Sequence, residues 1–343
     1  MRLYICGKWI GKGGIYEARI KSVSFLEDIK RLSLKDFPYF LLVSYHVASQ
    51  TLKLPIKSSL LPSVVVIKID DLKPVKPESK RIPLKFLGSS LSDKDFINGI
   101  LRVKRFIEKG EIYQLNLTNA FHFESGGDTL DLFFNFYRRQ PVDYAFFFDA
   151  TEFYIISGSM ELFLERKGRK LKSEPIKGTS SSKKALERSE KDRAENLMIT
   201  DVVRNDLGTV GKNIEVRELF AIRKYRTLYH MYSTVECKTS ASLIDILFAT
   251  FPPASVTGAP KRKAVEIIDM LEPHERSFYC GCAGFLRAED DFTLSVLIRT
   301  AVGRENILTY YSGCGIVWDS DPKKELKELY LKLKAFAPHL FTP

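Results

Sequence analysis

Short apolar runs rich in β-branched and aromatic residues fill the first part of the chain. Residues 39–45 and 63–69 are two such runs, and their composition predicts β-strands. Residues 71–83 then place three prolines among charged side chains, which is typical of a linker or a surface crossing.

Helical spacing of apolar positions begins near residue 92 and ends at Gly110. The apolar side chains on the shared face are Phe96, Ile97, Ile100, Leu101, Val103, Phe106 and Ile107. Further helices are predicted over 183–207, over 260–271 with a proline at the first turn, and from Pro322 onward.

Strand-like runs separated by tight turns occupy most of the remaining chain. Residues 112–123 form one run, and 144–172 alternates strands with turns. Three strands of a meander are predicted over 281–287, 292–302 and 307–317. Because tight turns join strands that pair antiparallel, we predict an α+β protein with large antiparallel β-sheets packed as a sandwich and helices outside.

The proline-rich stretch also suggests how the chain is organised. We expect an N-terminal β-rich region at 1–75, a linker at 76–90 and a main domain at 91–343, together forming one continuous structural unit.

The charge balance favours an anionic small-molecule substrate over a nucleic acid. The chain of 343 residues is 45% hydrophobic and 28% charged, with a net charge of +11. The densest basic runs, 73–85 and 323–334, contain prolines or acidic residues and lack the glycine and aromatic pattern of an RNA-binding sheet. We therefore expect no nucleic-acid partner.

The cysteines and the N-terminus indicate the compartment. Five cysteines, without a C-x-x-C pair or a histidine at zinc spacing, are typical of reduced thiols. No secretory signal and no apolar run of membrane-spanning length is visible. We expect a cytoplasmic protein that does not enter a membrane.

Acidic side chains on two predicted helices are candidate metal ligands. Glu325 and Glu328 are three residues apart and so share a helix face, and Glu195 immediately precedes an apolar stretch. Carboxylate oxygens suit a hard divalent cation. Spacing alone favours solvated glutamates paired with nearby lysines.

Lys177 lies in the segment Pro175-Ile176-Lys177-Gly178-Thr179, where the glycine permits close approach of a substrate to the backbone. A nucleophilic lysine must be partly neutral, which requires desolvation or a nearby cation. Most lysines are surface residues, so the segment by itself does not establish a catalytic role.

Two glycine-containing turns suggest places where a ligand contacts the backbone. Thr257 and Gly258 directly precede a predicted helix, where free N–H groups favour an anion, although a plain capping turn has the same pattern. Gly313 and Gly315 flank Cys314 within a predicted strand, which argues against a nucleophile elbow at the cysteine.

Taken together, these segments resemble the chorismate-utilising enzyme family. The runs 195–206, 255–261, 279–284 and 313–328 follow the family's order, and the resemblance covers residues 91–343, with a weaker likeness around 42–45. It implies the family's fold of antiparallel sheets with outer helices.

The resemblance also implies a binding site. By motif, Glu195 and Glu328, with Glu325 beside them, correspond to ligands of Mg²⁺, and Tyr279 and Arg299 to residues that hold the enolpyruvyl carboxylate of chorismate. The remaining implied pocket residues are Thr179, Thr257, Gly258, Gly313 and Gly315.

A lysine at position 177 resembles the pattern of the family branch that converts chorismate to 4-amino-4-deoxychorismate. Anthranilate synthases typically have alanine at this position. Isochorismate and salicylate synthases carry a water-activating lysine at the position of Gln114, so those activities are not expected. The implied chemistry is covalent attack by Lys177, with Glu161 protonating the departing hydroxyl and His230 near it. Ammonia would come from a separate glutamine amidotransferase subunit.

Two other functions stay open from the sequence. One is anthranilate synthesis, although the Leu-Glu-Ser pattern of the tryptophan feedback site is not evident. The other is a catalytically inactive, basic nucleic-acid-binding module. Two departures from the family's pattern, Asn119-Ala120 and Ser180–Ser182, bear on the pocket assignments.

Overall fold

Eighteen strands form one antiparallel sheet within residues 1–225 and 228–338, the part of the chain that the computed structural model describes. The strands are β1 Arg2–Gly7, β2 Ile15–Leu26, β3 Tyr39–Val43, β4 Val64–Pro74, β5 Leu84–Ser89, β6 Gln114–Ser125, β7 Tyr144–Asp149, β8 Tyr154–Ser159, β9 Leu162–Lys167, β10 Lys170–Glu174, β11 Ile176–Ser180, β12 Lys212–Lys224, β13 Tyr229–Lys238, β14 Gly258–Ala259, β15 Cys282–Ala288, β16 Asp291–Val296, β17 Thr300–Arg304 and β18 Ile307–Ile316.

Eight α-helices accompany the sheet over the same described ranges. They are α1 Ala48–Leu52, α2 Asp93–Glu108, α3 Thr129–Arg139, α4 Lys183–Arg188, α5 Glu190–Gly208, α6 Leu243–Thr250, α7 Lys261–Leu271 and α8 Pro322–Lys334. The predicted α+β class with antiparallel sheets and outer helices is confirmed, and the strands are joined by hydrogen bonds into one sheet.

The sheet joins distant parts of the chain. β3 pairs with β15, so that Phe40 lies opposite Phe285. β18 pairs with β6 over ten residues, which places Gly315 opposite Asn116 and Gly313 opposite Thr118. The glycines of the meander are thereby fixed against a long, buried strand.

Alternate side chains of the strands enter two hydrophobic clusters. In β7, Phe146 and Phe148 belong to one cluster, while Ala145 and Phe147 belong to the other. The first cluster includes side chains of α5 and α6, and the second includes those of α2, α3 and α8. Burial on both faces explains why many of these strands are apolar at successive positions.

Three boundaries differ from the sequence predictions. The predicted helix 183–207 is two helices, because Ser189 takes an extended conformation and its side chain accepts a hydrogen bond from Asp192 N at 3.2 Å. The predicted strand 292–302 is interrupted between β16 and β17, where Arg299 has φ of +52°. The predicted linker 71–83 is shorter, since β4 continues to Pro74.

No helix in the described part of the chain combines the length and the apolar character needed to cross a membrane. All five cysteines are buried free thiols.

Candidate active site

A cavity of about 720 Å³ opens between β11, β13, β18, α5 and α8. Eleven of the thirteen residues predicted for the site line it: Glu161, Lys177, Thr179, Glu195, His230, Tyr279, Arg299, Gly313, Gly315, Glu325 and Glu328. These residues come from at least seven separate segments, which the fold brings to one place.

Thr257 and Gly258 lie outside the cavity wall. Thr257 is fully buried and donates its hydroxyl to Pro253 O at 2.9 Å. Gly258 packs against β6, where a Cβ would meet Gln114 O at 2.3 Å. Ser255 and Val256 of the same segment line the cavity instead, so the segment contributes to the site two residues earlier than predicted.

The side-chain amine of Lys177 is shielded from solvent. Lys177 lies on β11 and is 8% exposed. Burial lowers the pKa of its amine, and the carboxylates of Glu195 and Glu161 oppose that shift only in part. A buried lysine on a cavity wall with a depressed pKa has the environment of a nucleophile.

Glu161 lies in the tight connection between β8 and β9 and is 3% exposed. Its backbone is held on both sides, because Glu161 N donates to Ser159 Oγ at 3.1 Å and Val296 N donates to Glu161 O at 3.1 Å. Burial raises the pKa of its carboxyl to about 7, against the opposing effects of Ser255 and Lys177. The side chain is therefore suited to giving up a proton near neutral pH.

His230 on β13 faces Thr179 on β11 across the sheet, and the Thr179 hydroxyl and His230 Nδ1 are 2.8 Å apart. Burial lowers the pKa of the imidazole to about 4, assisted by the positive charges of Arg299 and Lys332. The ring is neutral at pH 7, so a proton donated at this cavity comes more readily from Glu161 than from an imidazolium.

Three carboxylates line the same cavity. Glu195 projects from α5, and Glu325 and Glu328 project from the first turns of α8. Lys191 Nζ lies 3.0 Å from Glu325 Oε1 and 3.7 Å from Glu195 Oε1. Ser320 Oγ donates to Glu325 Oε1 at 2.8 Å, which fixes that carboxylate in place.

The glycines of β18 leave room for the polar groups around them. A Cβ on residue 315 would lie 2.7 Å from Gln114 Nε2, 3.2 Å from Lys177 Nζ and 3.4 Å from Glu195 Oε2. The amine, the amide and the carboxylate thus surround one point directly above Gly315. Neither polar atom of the buried Gln114 amide has a hydrogen-bond partner in the described structure.

A cationic region lies directly beside these carboxylates. Arg299 Nη1 donates to Lys332 O at 2.9 Å, and Lys332 Nζ donates to Gly313 O at 2.7 Å. Lys332 also pairs with Glu328 Oε1 at 2.7 Å. Tyr279 stacks on Tyr311 with ring centroids 5.3 Å apart. A guanidinium, an ammonium and a phenol form a surface that suits a carboxylate.

A buried ion pair supports this wall. Arg276 Nη2 and Nε donate to the two carboxylate oxygens of Glu272 at 2.7 and 2.9 Å. The same guanidinium donates to Val256 O at 2.9 Å and Asn116 O at 2.7 Å. The pair therefore ties the segment after α7 to β6 and to the loop that carries Ser255.

Sequence reasoning missed Lys191 and Lys332. Both lysines look like helix-surface residues in the sequence, but each lines the cavity. Spacing could have found them, since Lys191 is four residues before Glu195 and Lys332 is four residues after Glu328.

Residues at the two departures from the family's pattern make hydrogen bonds that stabilise the local backbone. Asn119 bonds to the backbone of Leu91 through both ends of its amide, at 2.9 and 2.8 Å. Ser182 caps α4 by accepting from Ala185 N at 3.3 Å. Neither residue lines the cavity among the residues described.

Residues 55–338 match the family of chorismate binding enzymes, which is most of the chain. The chain belongs to this family. The predicted family membership is thereby confirmed, and the aligned residues include the whole cavity described above.

Curated relatives fall into two activities. Over 266 residues the chain is 35% identical to anthranilate synthase component 1 of Saccharolobus solfataricus, covering 74% of this chain and 63% of the relative. It is 33% identical to aminodeoxychorismate synthase component 1 of Bacillus subtilis, covering 73% and 56%. The corresponding Escherichia coli protein is 34% identical, covering 74% and 59%. Each match spans less than two thirds of the relative.

Solved structures share the fold at low sequence identity. Anthranilate synthase component I of Streptococcus pneumoniae superposes with a TM-score of 0.80 and 20% identity, covering 98% of this chain and 92% of the other. The menaquinone-specific isochorismate synthase of Escherichia coli gives a TM-score of 0.76 and 18% identity, covering 98% and 87%. These likenesses establish the fold of the complete chain.

Proposed function

We propose that this chorismate binding enzyme aminates chorismate to 4-amino-4-deoxychorismate through a covalent intermediate on Lys177. The observation that carries the proposal is the placement of a buried amine with a lowered pKa on the same cavity wall as Glu161, whose carboxyl pKa is raised to about 7. Burial moves the pKa of each group toward the form that the reaction needs, a neutral amine and a protonated acid.

In the first step, Lys177 Nζ forms a bond to ring carbon C2 as the ring double bonds shift and the C4–oxygen bond breaks. Glu161 gives its proton to that oxygen, so that it leaves as water. In the second step, ammonia bonds to C4, the double bonds shift back and the C2–nitrogen bond breaks. Glu161 accepts the proton that the new amine releases, which returns both groups to their starting state.

Substrate orientation follows from the charged side chains of the cavity wall. Arg299 and Lys332 form the cationic region, and Tyr279 adds a phenolic donor beside them. A side-chain carboxylate of the substrate would bind there through charge-assisted hydrogen bonds. The ring would then lie above Gly315, next to Lys177 and to the unpaired amide of Gln114.

The three glutamates fit a hard divalent cation. Oxygen atoms of Glu325 and Glu328 lie within 4.8 Å of each other, and Lys191 already bridges Glu325 and Glu195 with a positive charge. We assign Glu195, Glu325 and Glu328 as the residues that would hold Mg²⁺. When bound, the ion would neutralise the ring carboxylate of chorismate and fix it against these carboxylates.

Amination at C4 is favoured over anthranilate synthesis by Lys177 itself. Relatives with either activity match the chain at similar identity, so overall similarity does not separate them. A lysine at position 177 provides the nucleophile that the covalent route needs, whereas an alanine there has none. We further infer that ammonia is delivered by a separate glutamine amidotransferase subunit.

The test is product analysis with chorismate, Mg²⁺ and ammonium. We expect a product that an added aminodeoxychorismate lyase converts to 4-aminobenzoate. Release of fluorescent anthranilate in the absence of the lyase would instead assign the chain to anthranilate synthesis. Recovery of unchanged chorismate, with the protein shown to be folded, would refute both activities.

A further inference from the structure

A second cavity of about 380 Å³ lies at the C-terminal end of α3, away from Lys177. Its wall is largely apolar and includes Ile82, Leu132 and Phe336. Two guanidinium groups, those of Arg81 and Arg139, also line it. The volume lies within the range of sites that hold small organic ligands.

The two arginines have no acidic partner among the described residues. Arg139 Nη2 donates to Phe336 O at 3.0 Å, and no carboxylate of the described residues lies within ion-pair distance of either guanidinium. Asp131, a carboxylate on the same helix, accepts from Lys80 N at 3.2 Å and does not line the cavity. Burial and the neighbouring charge of Arg81 lower the pKa of Arg139.

Both guanidinium groups are exposed and carry like charge, so an anion that enters the cavity can contact both without displacing an acidic partner. A guanidinium pair is also the arrangement that binds a carboxylate or phosphate through several hydrogen bonds. Phe336 is fully buried and stacks on Tyr310 with ring centroids 4.5 Å apart, so the chain at this side of the cavity is held in place.

We propose that this cavity is a second ligand site, which binds a small anion with an apolar or aromatic body through Arg81 and Arg139. The anionic group is a carboxylate or a phosphate, and the body packs against Ile82 and Leu84, the partly exposed apolar side chains of the wall. This site is separate from the cavity that contains Lys177 and is independent of the proposed reaction.

The two cavities share their supporting segments. Arg139 borders the second cavity, and the next residue, Gln140, borders the first. Ala335 borders the first cavity, and the next residue, Phe336, borders the second. Ala335 follows directly on α8, the helix that carries Glu325 and Glu328. An occupant of the second site therefore contacts both segments that continue into the active site.

The carboxylate probe is 4-fluorobenzoate, and the phosphate probe is 4-fluorophenyl phosphate. The uncharged control is 4-fluorobenzamide. Binding of each compound to the intact protein is followed by ¹⁹F NMR line broadening. We expect at least one anion to bind and the benzamide to bind at least about tenfold more weakly. Preference for the carboxylate or the phosphate identifies the anionic group. The absence of binding by both anions overturns the proposal.

Substitutions of the two cavity arginines test whether the anion binds in this cavity. Arg139→Leu and Arg81→Leu should each weaken binding of the anion by about tenfold or more. Arg102→Leu, which removes the same charge from an exposed position on α2 outside the cavity wall, should leave the affinity within about twofold. The side chain of Arg81 makes no hydrogen bond in the described structure. Arg81→Leu therefore tests the site even if Arg139→Leu fails to fold. Binding that is lost in Arg299→Leu but retained in both cavity variants would place the anion in the active site and refute the proposal.

Discussion

The ammonium of Lys191 donates a hydrogen bond to Glu325 Oε1 at 3.0 Å, although the two residues are 134 positions apart in the chain. The same ammonium lies 3.7 Å from Glu195 Oε1. A lysine thus provides positive charge between two of the three carboxylates assigned to the metal. Its side chain is 42% exposed, so it has a path to solvent when a divalent cation takes its place.

We expect Lys191→Met to bind a divalent cation more tightly than the unaltered protein, by roughly tenfold, because a competing positive charge is removed from between the ligands. The measurement is Mn²⁺ binding, followed by the loss of the free-ion EPR signal. If Lys191 instead holds Glu325 in position for the metal, the variant will bind Mn²⁺ more weakly.

Lys327→Met is the matched control for that experiment. Lys327 also lines the cavity on α8 but makes no ion pair with the three glutamates in the described structure. Its loss removes one charge from the cavity without removing the bridge, and we expect less than about a threefold change in Mn²⁺ affinity. An equal effect of both variants would indicate a general electrostatic effect.

Lys177→Ala should lower the rate of chorismate amination by on the order of 10³-fold or more, because it removes the nucleophilic amine, which lies 3.2 Å from the Cβ position of residue 315. Lys177→Arg should fail as well, since a guanidinium stays protonated. Intact mass spectrometry without ammonia should detect an adduct equal to chorismate less one water on the unaltered protein only. Turnover of Lys177→Ala at the normal rate would contradict the covalent role.

The pH dependence should identify Glu161. Its carboxyl pKa is raised to about 7 by burial, so the protonated form that the first step needs is lost as the pH rises through 7. We therefore expect kcat/KM to fall on the alkaline side with a midpoint near that value. Lys177 must be neutral, and its pKa is lowered, so its contribution falls toward acid pH.

Glu161→Gln should lower kcat by about 10² to 10⁴-fold and remove the alkaline limb, since an amide cannot donate the proton. His230→Gln is the comparison, because the imidazole is already neutral near pH 7, with its pKa lowered to about 4. We expect that variant to keep the alkaline limb. Loss of the limb in His230→Gln with its retention in Glu161→Gln would exchange the two roles.

The antiparallel architecture was predictable because tight turns separate consecutive apolar runs, and local chain geometry then determines how those strands pair. The break in the predicted strand 292–302 was not predictable from the sequence. Arg299 has φ of +52°, a conformation that sequence signals only when the residue is glycine or asparagine. Around Ser189, residues 187–193 include no apolar side chain, so apolar periodicity carried no information on the break between α4 and α5. The available signal was the capping pattern of Ser189 and Asp192.

The candidate site was predictable where a motif names the residue type, as for Lys177 and the three glutamates. Their convergence in one cavity depends on the register of the sheet and on contacts between α8 and β18, which act over long separations in sequence. Lys191 and Lys332 were missed although each is four residues from a predicted glutamate, because the same spacing is common among solubilising lysines on helix surfaces.

Gly315→Ala should disable the reaction while leaving the fold intact. The added methyl group would lie 2.7 Å from Gln114 Nε2 and 3.2 Å from Lys177 Nζ, so the amine has to move away from the point that the substrate ring would occupy. Displacement of a reacting group by about 1 Å costs on the order of 10²-fold, and we expect a loss of that size in kcat/KM.

Gly208→Ala is the control for this substitution, because a Cβ on residue 208, at the end of α5, meets no atom within 4 Å. We expect its activity to equal that of the unaltered protein. Thermal unfolding and Mn²⁺ binding should be measured on both variants, since Glu195 Oε2 lies 3.4 Å from the position of the new methyl group. A Gly315→Ala variant with full activity would show that the substrate does not approach the backbone at this glycine, and the ring would have to be placed elsewhere in the cavity.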